Sequence, residues 1–250
     1  MPNLVFSLDD NGVPTVGPDP VILSLRTDMW RFWLREAVDT AAVAAAVADE
    51  IPPLYEQFEL GEATDEELDE LSIRELIASM RAITACAFAI DAFYAGVKAR
   101  SPKHPDQEAW SRNKTPRPTQ VTETIIYHLK IADSGVRNKM RTWVPEIYRL
   151  RDLAVHPDSE FQEAVYHPDL NVGVDQKFMI FRRDNAVKAT AATLAMLDYF
   201  VLYLDRGSEE LAQQKEGARR HVDELLDRYE ATNLVPRVER QVPKQESGTE

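Results

Sequence analysis

Near its middle the chain reads YRLRDLAVHP, residues 148–157, which puts a guanidinium (Arg151), a neighbouring carboxylate (Asp152) and an imidazole (His156) within six residues. Arginine offers a rigid fork of donors to an oxyanion and cannot lose its charge. Histidine titrates near neutral pH and can take or give a proton during a reaction. Together they suit binding of an anionic ligand with proton transfer beside it, and Asp152 is placed to orient either partner. Arg149, seven residues before His156, and Arg141 and Lys139 farther upstream are candidate substrate-binding cations.

On an ideal helix five residues separate Arg151 and His156 by about 140°, so the two could not share a face. Pro157 changes this, because it disfavours the helical conformation for the residue before it. The helix is therefore expected to end near Val155, releasing the imidazole from the helical track. Leu150, Leu153 and Ala154 are then free to face a core while Arg151 sits on the last turn.

The elements that must position this motif are helices. Thr27 is a candidate N-cap for one running to about Ala48, ended by IPP. Thr64 with Glu67, and Ser72 with Glu75, each form a capping box, so a second helix starts near one of them and continues to about Arg100. Ile73, Leu76, Ile77, Met80, Ile83, Ala87, Tyr94 and Val97 follow the three-four spacing of a buried face. Residues 101–118, SPKHPDQEAWSRNKTPRP, carry four prolines and five basic side chains and read as a loop able to close over a ligand. Helices follow at about 119–132 and 136–155, with Pro145 kinking the latter or restarting it. VYHPDL and KFMIF could be short strands. Asp184 caps an apolar helix to about Leu204, Ser208 opens a charged one to about Tyr229, and residues 233–250 read as a disordered tail. Residues 1–25, with LVFSL, the turn DDNG and VPTV, suggest a small hairpin or arm.

The predicted domain organisation is an N-terminal arm at 1–25, a helical bundle at 26–205, a helix at 206–232 and a tail. The fold class is an all-α antiparallel bundle with a small N-terminal β-hairpin and a C-terminal helical extension. With 250 residues the chain can bury its core without staples. Cys86, its single cysteine, lies in the apolar run ITACAFAI and reads as a small buried hydrophobe. Neither a signal peptide nor an uncharged apolar span of membrane length is evident, so a cytoplasmic protein with no membrane association is expected.

A formal charge of −13 argues against a generic nucleic-acid coat, but the average hides an asymmetry. Residues 98–151 hold 12 basic against 5 acidic side chains, while residues 1–97 hold 5 against 18 and the remainder 12 against 19. The one basic segment ends at Arg151. Two carboxylates break local expectation: Asp91 falls on an apolar stripe with Ala87 and Tyr94, and Asp198 falls between Leu194 and Val201. If buried, both need partners, and a tyrosine hydroxyl or an arginine would serve.

RLRDLAVHPDSEF resembles the HEPN family, marked by an arginine, a polar residue, at least three further residues and a histidine in a bundle of four or five helices. The resemblance covers roughly residues 70–205, including IDAFYAGVKAR and DNAVKATAATLAMLDYFVLYL. It implies a homodimer whose two motifs face each other across a cleft and, in many members, a metal-independent endoribonuclease acting as a toxin or defence effector. Arg151, Asp152 and His156 then become the catalytic motif, no cofactor is required, RNA or a nucleotide is the ligand, and an antitoxin is a conceivable partner. Other members bind nucleotides or only dimerise, so a non-catalytic dimer binding a nucleotide or protein partner is the alternative. The spacing from Tyr148 to HPD at 156–158 also fits J-domain cochaperones, but the proline-interrupted helix and a second HPD at 167–169 do not. His156, Asp158, His167 and Asp169 match no compact zinc pattern.

Overall fold

The computed structural model describes residues 7–8, 14–15, 28–156, 163–167 and 172–241. Its architecture is all-α, with two short antiparallel strand pairs. Near the N-terminus β1 (Ser7–Leu8) pairs with β2 (Pro14–Thr15). The intervening turn of the expected hairpin, and Thr27, lie outside the described residues.

Two long helices, α1 (Trp30–Glu59) and α2 (Asp65–Ala99), pack together as a hairpin. Small side chains allow the close approach: Ala37, Ala41 and Ala44 of α1 and Ala82, Cys86 and Ala89 of α2 are all fully buried. The Cys86 thiol is pushed up to about 11 by that burial, as befits a packing residue. α1 does not stop at IPP but runs through Pro52 and Pro53. Each proline costs an isolated helix about 3 kcal/mol. Here Val47 and Ile51 bury themselves against Leu71, with Leu54, Tyr55 and Leu68 packed around them. Tertiary burial thus carries the helix past its local stop signal.

Of the two capping boxes, only the first starts a helix. The Glu67 amide donates to Thr64 Oγ1 at 3.3 Å, and the Thr64 amide donates to Glu67 Oε2 at 2.8 Å. Ser72 instead lies inside α2, its hydroxyl donating to the Leu68 carbonyl at 2.9 Å. Thr64→Ala is expected to lower stability by about 1 kcal/mol in urea denaturation; an unchanged midpoint would show that the cap contributes nothing.

The segment expected to be a loop contains a short helix, α3 (Gln107–Asn113), closed by Lys114 in the left-handed region at φ 52°. Next come α4 (Arg117–His128) and α5 (Ser134–Val155). Asp133 caps α5, its Oδ1 accepting from the Gly135 and Val136 amides at 2.9 and 3.1 Å. Pro145 neither breaks nor restarts α5. Beyond it, β3 (Val165–His167) pairs antiparallel with β4 (Val172–Val174), and KFMIF, a candidate strand, lies largely in a helical turn, α6 (Gln176–Ile180).

α7 (Arg183–Leu202) is buried around most of its circumference, as its apolar sequence requires. Its first amide, Arg183 N–H, donates to Glu75 of α2 at 2.8 Å. Glu75 therefore caps a helix, though not its own. The charged C-terminal helix is divided into α8 (Glu209–Ala212), capped by Ser208, and α9 (Lys215–Ala231).

α2 is the central element, packed against α1, α4, α5 and α7, while α7 also contacts α1 and α9. By length and composition α2 is also the one described helix that could cross a membrane, with just over half of that apolar window buried inside the bundle. The tail is ordered farther than its composition suggests. Through residue 241 it folds back: Val238 is buried, the Tyr229 hydroxyl donates to the Pro236 carbonyl at 2.9 Å, and the Gln241 amide donates to Asp198 Oδ2 at 2.7 Å. Residues 242–250 lie outside the described part.

Candidate functional site

α5 carries the motif because its inner face is apolar and its end is enforced. Met140, Val144, Ile147 and Tyr148 are buried at helical spacing, and Leu150, Leu153 and Ala154 pack partly against the core. The helix stops at Val155. His156 adopts an extended conformation, φ −106° and ψ 118°, while its amide still donates to the Asp152 carbonyl at 2.8 Å. Pro157 lies outside the described residues. The imidazole therefore leaves the helical track, and His156 is exposed.

An open groove of about 490 Å³ runs along this end of α5. Pro116, Pro118 and Pro145 wall it, while Tyr148, Arg149, Asp152, Leu153 and His156 complete its lining. Arg151 is not part of that lining. Its guanidinium turns onto Asp152, with Nε and a terminal nitrogen 3.0 and 2.6 Å from Oδ1, and stacks 4.6 Å above the Tyr148 ring. The Arg151 side chain remains 24 % exposed, packed on one side and accessible on the other. Asp152 touches both settings, because it binds Arg151 and faces the groove that holds His156.

Beneath Arg151, Tyr148 is held in turn. Its hydroxyl donates to Asp91 Oδ1 at 2.8 Å, and the same oxygen accepts from Arg117 at 2.7 and 3.0 Å. Burial and the adjacent Asp91 charge raise the Tyr148 pKa far above its ordinary value, so the phenol stays a donor. Asp91 thus has both kinds of partner expected for it. Tyr148→Phe keeps the ring under Arg151 but removes the hydrogen bond to a charged acceptor. It is expected to cost about 1.5–3 kcal/mol in thermal or urea denaturation; a neutral effect would show that Arg117 alone satisfies Asp91.

The remaining candidates separate. Arg149 lines the groove but is paired with Glu146 at 2.6 and 2.9 Å, and that pairing holds the Glu146 carboxyl below its usual range. Arg141 is bound to Glu123 of α4 at 2.7 and 2.9 Å and does not line the groove. Lys139 borders a different, largely apolar pocket formed by α5 and α7. Neither Arg141 nor Lys139 joins the motif: Lys139 lies on the opposite side of α5 from Tyr148, and Arg141, on the same face but about two turns before it, is held by Glu123. Sequence reasoning missed Tyr148 and Arg117 as supports for Arg151; the available signal was a tyrosine three residues before it on the same helix. Among the described residues no three histidine, cysteine, aspartate or glutamate side chains converge as metal ligands would, and Asp158 and Asp169 lie outside them.

Compared with known protein families, characterised proteins and solved structures, the chain matches none significantly.

Proposed function

We propose that the chain is a metal-independent endoribonuclease of the HEPN type. It works as a homodimer in which Arg151 and His156 of two protomers meet at one phosphodiester, in a toxin or defence role. The observation carrying this reading is the end of α5: an exposed imidazole freed from the helix, a guanidinium one turn earlier braced by Tyr148, and Asp152 in contact with both settings.

In the proposed reaction one imidazole removes the proton of a ribose 2′-hydroxyl, whose oxygen attacks the adjacent phosphorus. The second imidazole, as imidazolium, protonates the departing 5′-oxygen as the P–O5′ bond breaks. The guanidinium groups stabilise the charge gathering on the phosphorane oxygens. The products are a 2′,3′-cyclic phosphate and a free 5′-hydroxyl. Because each protomer contributes one motif histidine, dimerisation and activity are coupled.

The test is incubation of the purified full chain with structured RNA in excess EDTA, followed by analysis of the product ends. Absence of cleavage, or cleavage leaving 3′-hydroxyl ends, would reject the mechanism. One observation favours a second reading, a non-catalytic dimer that binds a nucleotide or protein: Arg149 and Arg151 are each already neutralised by a carboxylate on their own helix. That reading requires binding without cleavage. On the enzyme reading an antitoxin would cover the same groove.

A further inference from the structure

A second cavity, separate from the α5 groove, lies beyond Tyr94, whose ring carries the Arg117 guanidinium 4.4 Å from its centroid. It measures about 410 Å³. Its polar walls come from three places: Lys98 near the end of α2, Ser101, Lys103, His104 and Trp110 in the segment before α4, and His128 at the end of α4. Among the described residues no carboxylate lines it, although the chain as a whole is strongly acidic.

The imidazoles in this cavity are recessed, while Lys98 and Lys103 are exposed. His104 and His128 are 8 % and 7 % exposed. His104 stacks on Trp110 with ring centroids 4.3 Å apart, and its Nδ1 accepts from the Asp106 amide at 3.1 Å. In the neutral ring the hydrogen must therefore sit on Nε2, which makes that atom a donor. The Ser101 Oγ is buried and has no hydrogen-bond partner among the described residues. Two acids bear on His104: Asp106, two residues on in the same segment, and Glu123 of α4, whose carboxylate is occupied by two bonds from Arg141. Burial lowers the pKa of both imidazoles, and His104 lowers that of His128 further. Two desolvated imidazoles, two ammonium groups and an unpaired hydroxyl thus line a space with no anion among its described walls.

We propose that this cavity binds the phosphate group of a small phosphomonoester through Ser101, the two imidazoles and the two lysines. Five donor side chains lining one cavity exceed what the two oxygens of a carboxylate can use and suit the three terminal oxygens of a phosphomonoester. The recessed imidazoles favour a small molecule over a bilayer surface or a duplex.

The experiment follows the imidazole resonances of the full chain by NMR while inorganic phosphate or glycerol phosphate is added at constant ionic strength. The expected result is a saturable shift confined to His104 and His128, tighter for glycerol phosphate. Lys98→Gln with Lys103→Gln, both at exposed positions, is expected to weaken binding about tenfold or more, and Ser101→Ala severalfold. Loss of the response to both phosphates, equal binding by these variants, or a response of His156 alone would overturn the proposal. A response to inorganic phosphate alone would overturn the phosphomonoester assignment. His156→Ala is expected to leave the titration unchanged, so this site and the ribonuclease reading fail or stand separately.

Discussion

On the proposed ribonuclease function, replacing His156 by alanine is expected to lower RNA cleavage by roughly 10²–10⁴-fold, the range contributed by a positioned acid or base. The fold should be unaffected. His156 is exposed, lies beyond the last residue of α5, and contributes to the helix end through its backbone amide, which alanine retains. Unfolding free energy should therefore change by no more than about 0.5 kcal/mol. Arg151→Ala should be about as damaging to activity, because the variant loses fixed positive charge at the phosphorane. Arg151→Lys should recover little, since an ammonium cannot reproduce the two parallel donors or stack as a plane on Tyr148. Product formation over time, measured with end-labelled RNA in EDTA beside a denaturation curve for each variant, decides the matter. Equal cleavage by wild type and His156→Ala would remove this histidine from the chemistry.

The largest effect on stability is expected at Asp198. Its carboxylate is fully buried on α7, where it accepts from Arg219 of α9 through Oδ1 and from the Gln241 amide through Oδ2 at 2.7 Å. A buried charge without such partners would be prohibitive, so α9 and the C-terminal segment are held to α7 partly by its needs. Asp198→Ala should cost about 3 kcal/mol, the lower end for breaking a buried pair. The lower end applies because Arg219 keeps Asp223 at 2.7 and 3.1 Å and is itself a quarter exposed. Hydrogen exchange of the Gln241 amide should accelerate in the same variant. A loss below about 1 kcal/mol with the Gln241 amide still protected would show that Val238 and the Tyr229 hydroxyl hold the segment by themselves.

How much of this was legible in advance depends on the range of the interaction concerned. Three-four spacing of apolar residues identifies α2 and α7 as helices, although Ile73 and Ile77 of the α2 stripe are exposed rather than buried; a threonine followed three residues later by glutamate identifies the start of α2, and a histidine before proline identifies the end of α5. Each involves residues within about one turn of one another, where covalent geometry and the helical period dictate the outcome. A carboxylate on an apolar stripe likewise announces that it needs a partner, and both the part-exposed Asp91 and the fully buried Asp198 have one.

The identity of the partner is not written locally. The continuation of α1 through Pro52 and Pro53 depends on Leu71 arriving from α2, and Glu75 caps α7, whose first amide is 108 residues away. The sequence by itself determined the presence of the long helices, where the motif helix must end, and which polar residues could not be left alone. Only the tertiary structure decided that Arg151 lies over Tyr148 and against Asp152 rather than lining the groove, that Arg141 and Lys139 stand elsewhere, and that residues 233–241 pack instead of trailing free. Local pattern sets backbone period and helix ends, whereas the direction of a long cation and the docking of a tail are settled by charges and surfaces that approach one another only when distant elements pack.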